Sequence, residues 1–97
     1  MRFKSHLKKM TQCSKHHRYL HAAIVCKGKV ILGSGVNTEG HHAEVNAIYN
    51  AYGKTKGATL YTLMIRKRTL GLGDGTPCPT CMGVIKQAKI RKVVIYV

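Results

Sequence analysis

The chain has 97 residues, of which 17 are Lys or Arg and 3 are Asp or Glu, giving a formal net charge of +14. That length suits one domain, 1–97, and a hydrophobic content of 44% makes it globular rather than disordered. Met1 to Gln12 is too charged for a signal peptide and no apolar run approaches about 18 residues, so a soluble intracellular protein, cytoplasmic or nuclear, is expected, with no membrane partner and no secretion.

Phe3, Leu7 and Met10 fall at i, i+4 and i+7, which predicts a helix across Arg2 to Cys13 with its basic residues largely off the apolar stripe. Ser14 to Arg18 is turn-like. Tyr19 to Cys26 is β-compatible, Lys27-Gly28-Lys29 reads as a turn, and Val30 to Leu32 as the second strand of a hairpin. Gly33-Ser34-Gly35 weakens the end of that strand and lets another backbone come close. After a loop at Val36 to Gly40, a helix begins near His41 or His42. Val45, Ile48, Tyr49 and Tyr52 recur at i, i+3, i+4 and i+7, so they are expected to face the core, and Gly53 to stop the helix.

Thr59 to Ile65 reads as a strand buried on both faces. Arg66 to Thr76 is a basic, glycine-containing loop. Cys78 precedes Pro79, which suits a first helical position, and Cys81, Val84, Ile85 and Ala88 continue that helix. Val93 to Val97 reads as a last buried strand. The order α-β-β-α-β-α-β, with a strand-helix-strand crossover that makes a parallel pair, predicts an α/β fold with helices on the faces of a mixed sheet.

Two stretches carry chemistry. His42-Ala43-Glu44 and Pro77-Cys78-Pro79-Thr80-Cys81 together form H-x-E and P-C-x-x-C, the paired signature of zinc-dependent nucleobase deaminases. One His and two Cys give three protein ligands, the number a catalytic zinc keeps so that its fourth position stays open. Both motifs open helices, where unpaired N–H groups and the positive end of the dipole favour thiolates. In a first turn, side chains can lean past the helix end, so His42 and Glu44 can converge; in mid-helix they would diverge by about 200°. With Zn2+ on His42, Cys78 and Cys81 to acidify water, Glu44 would carry protons to the ring nitrogen and the leaving amine.

Either motif alone has a bland reading, as a redox or structural C-x-x-C or a chance H-x-E, and the pair together favours the site. His41 is the adjacent rival for the ligand role. Cys26 reads as a small buried hydrophobe. Cys13, His16 and His17 are a weaker second metal candidate, since no carboxylate joins them.

From about Tyr19 to Val97 the sequence resembles the cytidine deaminase-like superfamily. The resemblance runs through His42 to Ile48, Ala58 to Tyr61, Pro77 to Cys81 and Ile90 to Val94. It implies a three-layer α-β-α fold with a mixed central sheet, zinc on His42, Cys78 and Cys81, and Glu44 as the proton shuttle. It also implies Asn37 on a sugar 3′ hydroxyl and the backbone at Ala43, Pro77 and Cys78 against the base edge. His42 to Ile48 resembles deoxycytidylate deaminases. The longer segment Ile65 to Thr76, with Arg66-Lys67-Arg68, resembles the nucleic-acid-editing branch. Two departures are Gly75-Thr76, where that branch often carries an aromatic, and an end at the fourth strand, where the family usually adds a helix and a strand.

The charge and the arm Arg66-Lys67-Arg68 make cytosine in single-stranded DNA or RNA the first expected substrate. A free nucleotide or nucleoside, dCMP or cytidine, is the alternative. Adenine, or a non-catalytic zinc domain that binds nucleic acid, ranks lower, the latter because zinc structure needs no Glu44. A homo-oligomer is expected because so small a chain leaves sheet edges open.

Overall fold

The computed structural model describes residues 3–12, 19–38, 42–66 and 79–96, with Arg66 described in its backbone alone. Cys13, His16, His17, His41, Lys67, Arg68, Pro77, Cys78 and Val97 lie outside the described residues, so the second metal candidate and one sulfur ligand rest on sequence. The elements are α1 (Lys4–Thr11), β1 (Tyr19–Lys27), β2 (Val30–Val36), α2 (Ala43–Asn50), β3 (Thr59–Arg66), α3 (Pro79–Gln87) and β4 (Lys92–Tyr96).

The strands form one sheet in the order β2-β1-β3-β4. β1 is antiparallel to both neighbours, and β3 and β4 are parallel, joined through α3. Strand alternation sorts the core into two layers. Ala23, Val25 and Leu60 meet Ala43, Ala47 and Ala51 of the α2 segment and Ile85 of α3. On the opposite face Ala22, Ile24, Cys26, Leu63 and Tyr96 meet Phe3 and Leu7 of the α1 segment. The result is a mixed sheet between helices, the three-layer α/β architecture expected from the sequence. Leu7 is fully buried, which contributes about 2 kcal/mol to the attachment of α1. The Phe3 ring meets Tyr61 edge-on at 4.8 Å.

β2 runs on to Val36 instead of weakening at Leu32, and its glycines are the reason for its packing. Leu32 is the extra residue of a bulge, because Val25 pairs with Gly33 while Cys26 pairs with Ile31. Gly33 and Gly35 then lie directly under α2. A Cβ on Gly33 would fall 2.5 Å from both the Ala47 carbonyl oxygen and the Ala51 nitrogen, and one on Gly35 2.7 Å from the Ala47 nitrogen. Only small side chains fit at that separation, so α2 turns Ala43 and Ala47, with Ala51 following, to the sheet. The expected stripe through Val45, Ile48, Tyr49 and Tyr52 is therefore only partly the core face: Ile48 packs against the core, but the Tyr49 and Tyr52 rings are 74% and 85% exposed. The helix also ends earlier, at Asn50, and Tyr52 takes a left-handed φ of 51° just before Gly53.

Two amides tie α2 to the edge strand. Asn46 Nδ2 donates to the Val36 carbonyl at 2.8 Å and Asn50 Nδ2 to the Ser34 carbonyl at 2.7 Å. No described helix is long and apolar enough to cross a membrane. Gly33→Ala is expected to destabilise the fold by roughly 1–3 kcal/mol, because only backbone could yield. A lower urea midpoint with an unchanged slope is the expected reading; an unchanged midpoint would contradict the close docking of α2.

Candidate active site

β1 and α2 bring two buried titratable side chains, His21 and Glu44, together. His21 shares its face of β1 with Ala23 and Val25, at the end of the sheet where α2 begins, and pairs with Met64 of β3. Glu44 is the second residue of α2 and only 2% exposed. His21 Nδ1 lies 3.5 Å from Glu44 Oε1, close enough for an ion pair and too long for a good hydrogen bond. Glu44 Oε1 and His21 Nε2 are the buried side-chain polar atoms without a hydrogen-bond partner among the described residues.

His21 is not idle packing. A buried polar atom left unpaired is unfavourable by about 1–3 kcal/mol, and this pair holds two in one place. Burial pushes the His21 imidazole below its ordinary 6.5, with the Glu44 charge opposing and His42 reinforcing that shift. The ring is thus neutral at neutral pH, and one of its nitrogens is a bare acceptor.

The other anticipated residues are placed as follows. His42 is the exposed N-cap of α2, in extended backbone, and its side chain makes no capping bond. The imidazole is therefore not consumed by the helix end. Ala43 is fully buried beneath it. Cys81 is fully buried in the first turn of α3, which packs against α2. Asn37 binds the start of β1 on both sides of its amide: Oδ1 accepts from the His21 N–H at 2.8 Å and Nδ2 donates to the Tyr19 carbonyl at 2.9 Å. The Asn37 N–H also donates to the His21 carbonyl at 3.0 Å. Arg66 ends β3 opposite Tyr19, so its backbone is at the same end of the sheet. Among the described residues no group of three or more His, Cys, Asp and Glu is close enough to hold a metal.

Glu44 is thus a buried carboxylate at a helix start, preceded by the exposed His42, and Cys81 is buried at the start of the neighbouring α3. Residues 1–97 match the cytidine and deoxycytidylate deaminase zinc-binding region. The chain belongs to this zinc-binding deaminase family.

Solved structures agree on the fold. The dCMP deaminase of cyanophage S-TIM5 in apo form is 25% identical with a TM-score of 0.73, and the match covers 94% of this chain and 76% of that one. Guanine deaminase from Bacillus subtilis is 26% identical, TM-score 0.57, covering 79% of this chain and 49% of that one. Acinetobacter baumannii RibD is 24% identical, TM-score 0.65, covering 93% of this chain and 25% of that one. The chain thus spans about a quarter of the RibD length. Among curated protein sequences none matches significantly.

Zinc fits the residues described. An unpartnered carboxylate oxygen, buried in a chain of few acids, calls for a cation nearby. His42 and Cys81 are a nitrogen and a sulfur donor, the chemistry zinc prefers, and both lie at helix starts that stabilise a thiolate.

The sequence reading passed over His21, although it is the one titratable side chain inside the apolar run Leu20 to Cys26. Its alternation with Ala23 and Val25 was legible; that this strand end faces Glu44 was not. The lowered His21 pKa sets the sign of a pH effect. Below about 6.5 the unfolded chain takes up a proton that the folded chain refuses until lower pH, so stability falls as pH drops from about 7 to about 5. We expect the urea midpoint to fall over that range, and to fall less steeply in His21→Gln. Parallel profiles for the two proteins would contradict a buried, neutral His21.

Proposed function

We propose that the chain is a hydrolytic deaminase of the cytosine of a free nucleotide, converting it to uracil and releasing ammonia. The observation that carries deamination is the recessed Glu44 carboxylate, with Oε1 open to a proton and a neutral imidazole behind it. Two things favour a free nucleotide over cytosine in single-stranded DNA or RNA. One is the likeness to a dCMP deaminase over most of both chains. The other is the placement of the exposed lysines of the two turns that enclose the far ends of β1 and β3, which lie away from Glu44.

In this reading His42, Cys78 and Cys81 hold Zn2+, which supplies Lewis acidity that makes water nucleophilic near neutral pH. Glu44 receives the proton that the attacking water loses and delivers it to the ring nitrogen. The same carboxyl then takes the second proton, from the hydroxyl added to the ring carbon, and passes it to the amine; the C–N bond breaks as the carbonyl forms, ammonia leaves, and the carboxylate is restored. His21 keeps the Glu44 carboxylate in one place without neutralising it. Asn37, bound to Tyr19 and His21, fixes the strand end that carries His21. The backbone at Ala43 and Pro77 borders the base, and Arg66, Lys67 and Arg68 supply counter-charge for one phosphate. A second copy covers the open edge of β4, where Val93, Val94 and Ile95 are half-buried.

Glu44→Gln is expected to lower ammonia release from dCMP by roughly 10³-fold while zinc content stays the same. Turnover retained in that variant would remove the mechanism. Offered separately, dCMP should be converted, while guanine and a single-stranded oligodeoxynucleotide should not. Conversion of the oligonucleotide with none of dCMP would overturn the free-nucleotide assignment.

A further inference from the structure

The end of the sheet opposite Glu44 is crowded with exposed lysines and an arginine. Three loops meet there: the hairpin turn after Lys27, the segment 51–58 that follows α2, and the turn 88–91 that precedes β4. Backbone and side-chain bonds lock them into one body. Lys27 Nζ donates to the Lys56 carbonyl at 3.2 Å, and Thr55 Oγ1 to the Ala88 carbonyl at 2.7 Å. The Gly57 N–H donates to the Lys89 carbonyl at 2.9 Å and the Arg91 N–H to the Ala58 carbonyl at 2.8 Å.

These loops and the strand ends beside them present Lys27, Lys29, Lys54, Lys56, Lys89, Arg91 and Lys92, all exposed. No carboxylate belongs to them, since the acids of the whole sequence are Glu39, Glu44 and Asp74. The distance from these loops to the site is set by β1: Lys27 lies six positions beyond His21, about 20 Å of strand.

Stability does not account for such crowding. Like charges on one face repel. Helix dipoles favour a cation in the last turn, which explains Lys86 of α3, but α2 has no basic residue in its last turn. Lys27, Lys29 and Lys92 stand at strand ends, where no comparable dipole exists.

An aromatic stands at the rim. Tyr52 is 85% exposed and left-handed at φ 51°, directly before Gly53 and Lys54, and Tyr49 is exposed one turn earlier on α2. Cations that neutralise phosphates, beside a ring whose face is open, are the combination that holds unpaired bases without reading their sequence. A second copy of the chain does not fit this surface, because it would set the same crowded lysines against one another.

We propose that this end of the sheet docks single-stranded nucleic acid, at a site separate from the deaminase centre. The proposal does not rest on the substrate assigned above. It also gives the net charge a role that a free-nucleotide substrate leaves open.

The test is fluorescence anisotropy of a labelled oligothymidylate across a salt series. Lys54→Gln/Lys56→Gln is compared with Lys8→Gln/Lys9→Gln on α1, an equal loss of charge at exposed positions elsewhere. The loop pair should weaken binding by about tenfold and flatten the slope of log affinity against log salt by about 1.4, while the α1 pair changes both far less. Equal losses in the two pairs, or wild-type binding in the loop pair, would overturn the proposal. Tyr52→Ala should weaken the single strand and leave a duplex of the same length unaffected; equal weakening of both would overturn the assignment to unpaired bases. Tighter binding of phosphatidylserine vesicles than of the oligonucleotide, lost in the loop pair, would also overturn it.

Discussion

The seating of α2 on the glycines of β2 is the constraint on which the rest depends. Gly33 and Gly35 let the helix backbone come within contact distance of the strand, and Ala47 and Ala51 keep it there. Asn46 and Asn50 secure the fit by bonding alternate carbonyls of the same strand. The depth of α2 sets the depth of its first turn, and hence the burial of Glu44. A larger residue at any of these positions would lift the helix start away from His21. Packing and chemistry are therefore linked through one helix-strand contact.

At the helix start the structure combines groups that water would normally separate. Glu44 is buried with an unpartnered oxygen, and the imidazole beside it is held neutral by the same burial. A charged His21 would neutralise Glu44 and tie up its lone pair; kept neutral by burial, it leaves the carboxylate oxygen open, as the proposed proton transfer requires. Three bonds between Asn37 and β1 hold the His21 backbone from behind. The described polar pair is thus built from two opposed elements, a strand end that carries His21 and a helix start that carries Glu44.

Much of the fold was legible in the sequence, for identifiable reasons. Element order and type followed from periodicity and from punctuation by glycine and proline, and the parallel pairing of β3 with β4 from the handedness of crossovers. His42, Glu44, Cys78 and Cys81 stood out because H-x-E and P-C-x-x-C are rare in combination. What was not legible depends on contact between distant segments. Along α2, spacing alone pointed to the stripe Val45, Ile48, Tyr49 and Tyr52, in which only Ile48 meets the core. The sheet chose the alanines because Gly33 and Gly35 leave no room, and that follows only from the pairing of β2 beneath the helix. His21 was hidden for the same reason: a strand's alternation is local, while the identity of what faces it is not. The charge was legible in amount and not in place.

Zinc K-edge X-ray absorption on the zinc-loaded protein tests the central claim most directly, that the starts of α2 and α3 together hold one catalytic zinc. The expected spectrum fits two sulfurs at about 2.3 Å and one imidazole nitrogen at about 2.0 Å, with a further light-atom ligand. One sulfur should be lost in Cys81→Ser and the imidazole signal in His42→Ala. A shell of four sulfurs, or a spectrum unchanged by either substitution, would contradict it.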